Sequence, residues 1–360
     1  MNMDFNLSTE QELLRDGLGK FLATRYDLEK SRTAAKTGAG WQPEVWRAFA
    51  DELGILGAAL PESAGGMGGG PVEIMVIAEE LGRALVIEPF VDTVVVAGGL
   101  LDRAGNPAAE AVLEQIAAGS SIVAVSPDPL CTNAVRDGEH WVLTGSPAVV
   151  MNAPIATHLL IAAHTGDGVG LFLTEAGTPM HGYRTVDDRR AADLAFDGLR
   201  LPADALISAD AAASLEQARD EGAAAVCAEA VGAMRRVLAD TVAYCKQRQQ
   251  FGQPIGGFQV LQHRMVDMYM ELEQSVSAVY LAVLNLDAGR RDRARAVSAA
   301  KATIGRAARF IGQNAVQLHG GMGMTEELAV GHYFKRLTAV QYEYGSTDQH
   351  RTRYAQLSRG

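Results

Sequence analysis

The sequence predicts a mainly α, α+β protein in three domains. An N-terminal helical domain covers residues 1–119, a middle antiparallel β-domain covers 120–206, and a C-terminal four-helix bundle covers 211–360. Three observations carry this reading. Apolar residues recur at steps of three and four toward both ends of the chain. Residues 120–206 change to short apolar or alternating runs cut by Gly, Pro, Asp and Asn. No long helical pattern fits between those runs.

Taken in order, "LSTEQELLRDGLGKFLATRY" opens with Ser8 as an N-cap and places Gln11 three residues later, the capping-box spacing. Leu13, Leu14, Leu18, Phe21 and Leu22 then form one stripe. "PEVWRAFADELGILGAAL" repeats the helical pattern around Val45, Phe49 and Leu53, and Gly54 marks its end. "PESAGGMGGGP" (61–71) reads as a connector loop, with close backbone approach as the functional alternative. "VEIMVIAEELGRAL" and "AVLEQIAAG" are further helices. "SIVAVS", "HWVLTGSPAVV", "THLLIAAHT", "VGLFLT" and "DLAFDGLRLP" read as strands. From 211 onward helices return: Leu261, Met265, Met268, Leu272, Val276, Val279 and Val283 make one continuous stripe. "RRDRARA" (290–296) reads as a solvated charged connection, followed by a long Ala- and Gly-rich helix ending at "QLHG".

Composition sets the outer limits. A net charge of −11 argues against a nucleic-acid partner, whose footprint would be a basic face. Three cysteines, Cys131, Cys227 and Cys245, show no metal-ligand spacing, and their sparse, odd number fits a reducing, cytoplasmic setting. No basic-then-apolar leader opens the chain, and no apolar run reaches the ~18 residues of a membrane span.

Three segments sharpen the architecture: "FDGLRLPADALI" (196–207), "RQQFGQPIGGFQVLQHRMVDM" (248–268) and "QLHGGMGMTEE" (317–327). In this order and spacing they resemble the acyl-CoA dehydrogenase family over essentially the whole chain, most strongly in its C-terminal third. Within that family the chain is most similar to the small subunits of two-gene enzymes such as pimeloyl-CoA dehydrogenase. The resemblance implies FAD as cofactor, an acyl-CoA thioester desaturated to its trans-2-enoyl form, and an electron-transfer flavoprotein as acceptor. It favours steroid-derived or dicarboxylic acyl groups. It further implies that Arg248, Gln250 and Phe251 contact the FAD of a neighbouring subunit, that Gln259 lies near the adenine end, and that Gln317, Gly320 and Gly321 approach the ADP half. Ser346 and Asp348 fall where the family has flavin-contacting polar residues. An anion at Asp348 would have to turn away from a pyrophosphate.

The chemistry so implied needs a carboxylate to take a proton from Cα. Here the chain departs from its relatives. The slot before Gly345-Ser346 holds Tyr344, with Glu343 one position earlier. A second slot used by some relatives falls at Gly222, with Glu221 adjacent. Glu221 and Glu343 are therefore the candidate catalytic residues, each one step from its slot. Glu229, two turns along the same helix as Glu221, is a third candidate, with a structural role the favoured reading. A phenol is neutral at pH 7 and a poor substitute for a carboxylate. In the β-domain Val149 and Met151 occupy slots where the family carries a tryptophan and a threonine against the flavin.

Three functions remain open on these residues. The chain could be a dehydrogenase subunit that clamps FAD while a homologous partner supplies the base. It could be a self-sufficient homo-oligomeric enzyme using Glu343 or Glu221. It could be a flavin-free structural or acyl-CoA-binding protein.

Overall fold

A computed structural model describes residues 6–359. The first helices are α1 (Thr9–Arg25), α2 (Leu28–Lys36), α3 (Pro43–Asp51) and α4 (Pro71–Arg83). A π-helical segment, Val91–Ala97, runs directly into α5 (Gly98–Ala104), and α6 (Pro107–Ala117) follows. Ten strands come next: β1 (Val123–Ser126), β2 (Thr132–Asp137), β3 (His140–Gly145), β4 (Val150–Met151), β5 (His158–Thr165), β6 (Gly168–Glu175), β7 (Met180–Arg184), β8 (Arg190–Leu194), β9 (Phe196–Pro202) and β10 (Leu206–Ser208). The chain ends with α7 (Ala212–Gln247), a hairpin of β11 (Gln249–Gln250) and β12 (Gln253–Pro254), α8 (Gln259–Val283), α9 (Arg290–His319), α10 (Ala329–Ala339) and α11 (Thr347–Ser358). Helices, a middle β-region and a C-terminal helical region follow one another as the periodicity predicts.

The chain divides into two compact units. One comprises the chain up to Lys30, Pro71–Val86 and everything from Ala223. The other comprises Ser31–Gly70 and Ile87–Gly222.

In the first unit, Ser8 makes the predicted capping box: Gln11 N donates to Ser8 Oγ at 3.2 Å, and Ser8 N donates to Gln11 Oε1 at 2.9 Å. The core is built from α4, α7, α8, α9 and α10 around Met234, Met268, Leu272, Ile304, Ile311 and Leu337. Small residues let these helices meet backbone to backbone. A Cβ on Gly82 would lie 1.9 Å from the carbonyl oxygen of Glu229, and one on Gly232 would lie 1.8 Å from that of Glu79. Residues 290–296 differ from the expected solvated connection: they are the first two turns of α9. Ala294, Ala296 and Val297 face inward, Arg293 is itself buried, and Arg290, Arg291 and Arg295 face water. Arginine is a good helix former, so the charge density did not prevent the helix.

In the second unit, one sheet runs in the order β10-β6-β5-β2-β3-β9, with β1 added on β5, and a smaller sheet runs β4-β8-β7. Most pairings are antiparallel. The exceptions are β1 with β5 and the single β2–β5 pairing at Asn133 and His164. Strand β5 is buried at every position from Leu159 to Ala163, as befits a central strand. Leu143, Ile161, Phe172 and Leu201 form the core of this sheet. The glycine-rich segment is a tied-down loop and not a loose connector. Met67 N donates to Gly57 O at 2.8 Å, Gly68 N to Leu60 O at 2.9 Å and Gly69 N to Ala58 O at 2.9 Å. A side chain on Gly66 would meet the Leu60 carbonyl at 2.1 Å, so close approach is to its own chain.

Among the described residues no helix is long and apolar enough to cross a membrane, and no cluster of His, Cys, Asp or Glu could hold a metal.

Candidate active site

Two of the sequence motifs meet in the first unit. Arg248 follows α7 and leads into the two-strand hairpin, whose register pairs Gln249 with Pro254 and Gln250 with Gln253. Its two turn residues, Phe251 and Gly252, both have positive φ, +55° and +80°. This is the primed geometry that matches strand twist. Phe251 is 90% exposed and touches only the edge of Phe258, at 6.1 Å between ring centroids. Arg248, Gln250 and Gln259 are exposed as well. Four residues before Arg248, Tyr244 stacks on His319 at 4.3 Å, and its hydroxyl donates to the His319 carbonyl at 3.4 Å. His319 is buried and its Nδ1 donates to the Ala315 carbonyl at 2.8 Å, so it serves the fold at a helix end. The Tyr244–His319 stack joins the end of α7, which leads into the hairpin, to the end of α9, where Gln317, Gly320 and Gly321 lie. Those three are exposed, and a Cβ on either glycine would meet no atom within 4 Å. An open backbone beside an exposed guanidinium and an exposed ring fits the ADP half of a dinucleotide.

Ser346 and Asp348 lie elsewhere. Ser346 caps α11: its Oγ accepts from Gln349 N at 3.2 Å, and its N donates to Gln349 Oε1 at 2.7 Å. Asp348 is solvent-exposed with Arg351 at 3.5 Å. Thr347 sits on Gly305, where a Cβ would come within 2.2 Å of its Oγ1. Gly305 is fourteen positions before His319 on α9, about 20 Å along the helix axis at 1.5 Å per residue. Within one chain the Ser346 and Gln317 groups are thus apart.

The carboxylates near the two base slots are all held by arginines. In the first unit, Glu343 Oε2 accepts from Arg336 Nη2 at 2.8 Å, and its other oxygen accepts from Arg336 Nη1. The same guanidinium binds Glu229 bidentately, at 2.7 and 3.0 Å. Arg336 and Glu229 are each 3% exposed and Glu343 is 19% exposed. In the second unit, Glu221 accepts from Arg103 Nη1 at 2.9 Å and Nη2 at 3.1 Å, and from Gln217 Nε2 at 2.9 Å. Gly99 leaves room for this pair: a Cβ there would lie 2.8 Å from Glu221 Oε2. Gly222 is buried. Tyr344 has φ +54° and packs partly against the helical core.

The middle segment is also committed to its own chain. Val149 has φ +54°, and its N–H donates to Asp193 Oδ1 at 2.9 Å, which also accepts from Tyr183 Oη at 2.8 Å. These two donors hold the Asp193 carboxyl below its ordinary value. Met151 lies in β4 opposite Ala191. Neither Val149 nor Met151 offers a ring to stack on a flavin or a polar group to its edge. Sequence reasoning missed Arg336, Arg103 and Tyr244. For Tyr244 the spacing to Arg248 was a possible signal. For the arginines there was none, because Arg336 and Glu229 are far apart along the chain.

The chain matches the family models "Acyl-CoA dehydrogenase, N-terminal domain" over residues 8–120 and "Acyl-CoA dehydrogenase, C-terminal domain" over 213–357. It is 31% identical over 330 residues to the acyl-CoA dehydrogenase IpdE2 of Mycolicibacterium smegmatis, covering 92% of this chain and 93% of that one. The structure is similar to the ChsE4-ChsE5 complex from Mycobacterium tuberculosis, with a TM-score of 0.91, 26% identity and 98% of each chain covered. It is similar also to a variant of the Tcur3481-Tcur3483 steroid ACAD, with a TM-score of 0.88, 28% identity, and 97% of this chain and 98% of that one covered. With both family models matched and similar structures covering 97–98% of it, the chain belongs to the acyl-CoA dehydrogenase family of oxidoreductases.

Proposed function

We propose that this chain is the cofactor-clamping subunit of a two-chain, FAD-dependent acyl-CoA dehydrogenase, and that a homologous partner supplies the proton acceptor. The observation that carries this is the state of the carboxylates. Glu221, Glu229 and Glu343 each have both oxygens bound to one guanidinium. The exposed hairpin Arg248–Phe251 and the open backbone at Gly320 and Gly321 supply the complementary half. FAD, when bound, accepts the hydride that leaves Cβ of the acyl group. Arg248 would offer its planar fork to the pyrophosphate, and Gly320 and Gly321 would let backbone approach the same group without a Cβ clash. Gln250 and Gln259 would hydrogen-bond the nucleotide. The separation of Ser346 from Gln317 along α9 supports a cofactor that spans two chains, with each end of the helix serving a different one.

The substrate we propose is a bulky, steroid-derived acyl-CoA, since one similar structure is a steroid ACAD. Electrons would pass on to an electron-transfer flavoprotein. The test is to purify the chain alone and co-expressed with an adjacent homologue, and to measure bound flavin at the visible band and desaturation of steroid-derived and dicarboxylic acyl-CoA. Colour and turnover only in the co-expressed preparation are expected. Turnover at a normal rate by the lone chain would overturn the reading in favour of a self-sufficient enzyme. Colourless, inactive protein from both preparations would overturn it in favour of a flavin-free protein.

A further inference from the structure

Residues 343, 344 and 345 are held one after another by three buried side chains of the first unit. The Glu343 carboxylate accepts from Arg336 Nη2 at 2.8 Å. The Tyr344 carbonyl accepts from His350 Nε2 at 3.0 Å. The Gly345 carbonyl accepts from Lys301 Nζ at 3.0 Å, and Lys301 also donates to the Val340 carbonyl at 2.8 Å, which ties both ends of the turn. Arg336, His350 and Lys301 are 3%, 1% and 0% exposed. The Tyr344 carbonyl can only accept, so the hydrogen bond to it requires a proton on His350 Nε2; His350 Nδ1 lies 3.3 Å from Ser298 Oγ. Glu229 holds the neighbouring Nε/Nη2 edge of the Arg336 guanidinium, sharing Nη2 with Glu343, and so fixes the guanidinium independently of Glu343. The turn so held contains Tyr344 in the left-handed region, which is costly for a bulky residue. Such a residue persists only where its surroundings over-determine it, and over-determined turns accompany groups that must be presented in a fixed place.

We infer that Glu343 is a positioning residue. With Arg336 and Glu229 it locks the turn that presents Tyr344, and it does not act as the proton acceptor. This rests on the proposed function only in taking that turn to face the flavin site. Both Glu343 oxygens are committed to a guanidinium that Glu229 already fixes along its adjacent edge, so the carboxylate serves as a tether.

The test compares Glu343→Gln, Arg336→Lys and Arg336→Met in the full chain, alone and in the flavin-loaded complex with its homologous partner. Amide hydrogen exchange is read over residues 341–346, and kcat, its pH profile and the flavin visible band are read in the complex. A lysine cannot grip two carboxylates bidentately. Both Arg336 variants should therefore speed exchange at 341–346 at least tenfold, and Arg336→Lys answers the question if Arg336→Met does not fold. Glu343→Gln should lower kcat less than tenfold and leave the pH profile in place. A larger loss that comes with lost protection of the turn also supports positioning. A loss above tenfold with protection and flavin band intact would overturn the inference, because Glu343 would then be the base. Exchange that changes less than tenfold in both Arg336 variants would overturn it as well. If the wild-type complex neither loads flavin nor turns over, the proposed function fails, while the exchange measurements on the lone chain still decide whether the turn is locked.

Discussion

Leu85, Phe251 and Tyr344 are the bulky described residues with left-handed backbone in the first unit, and the turns that hold the last two are supported in opposite ways. Tyr344 (φ +54°) sits in a turn anchored by Arg336, Lys301 and His350, all buried. Phe251 (φ +55°) tips a two-strand hairpin, is 90% exposed and has only an edge contact with Phe258. The strain is comparable, on the order of 1–2 kcal/mol for a non-glycine residue. The difference teaches where each turn finds its purpose. The 343–345 turn is complete within its own chain and presents a fixed shape. The hairpin exposes a ring that its own chain does not cover, which is how a surface built to meet another molecule looks. Val149, in the second unit, is an intermediate case: its left-handed backbone is tied by one half-buried carboxylate, Asp193.

The comparison can be broken at four points. Arg336→Met should cost the most, because it leaves Glu229 buried without its guanidinium; the loss should be about 3–5 kcal/mol in urea unfolding of the lone chain. A loss below ~1 kcal/mol would mean that the turn does not depend on its clamp. Lys301→Met should cost about 2 kcal/mol by the same measurement, since the Val340 and Gly345 carbonyls lose a shared donor. Asp193→Asn should act through pH. The folded-state carboxyl lies below its unfolded value, so its contribution is present above the unfolded value and is lost as pH falls through the folded one. Melting temperatures of wild type and variant should therefore differ at neutral pH and converge below about pH 4, near the ordinary aspartate value. A constant gap across that range would show that the Val149 tie is not electrostatic. Phe251→Gly should change the stability of the lone chain least, within ~0.5 kcal/mol. Relief of strain is offset by the entropy of glycine, and little packing is lost. The same variant should reduce flavin retention in the two-chain complex. A large destabilisation of the lone chain would show that Phe251 belongs to the fold and not to a contact surface.

Much of the fold was readable because it is local. The Ser8–Gln11 capping box, the stripe of α8 and the short strands of residues 120–206 each follow from spacing within a few residues. The charged run 290–296 is helical although its charges suggest a solvated connection, because Ala294, Ala296 and Val297 face the core. The parallel pairing of β1 with β5 was invisible because strand language does not encode direction. For the site, the motifs name the groups that the resemblance implies would meet a nucleotide, and both base slots lack a carboxylate. The sequence could not reveal that Glu221 was occupied, because Arg103 comes from α5, and it left unread the pairing of Glu343 with Arg336, seven residues earlier.

By itself the sequence determined the order of helices and strands, the family motifs and the residues at the two empty slots. Those properties depend on neighbours three or four positions away along the chain. Only the tertiary structure decided what the nearby carboxylates are free to do. Arg103 comes from α5 to meet Glu221 on α7, and Arg336 from α10 joins Glu229 on α7 to Glu343. Ion pairing depends on distance in space, and the folding of distant segments onto one another sets that distance.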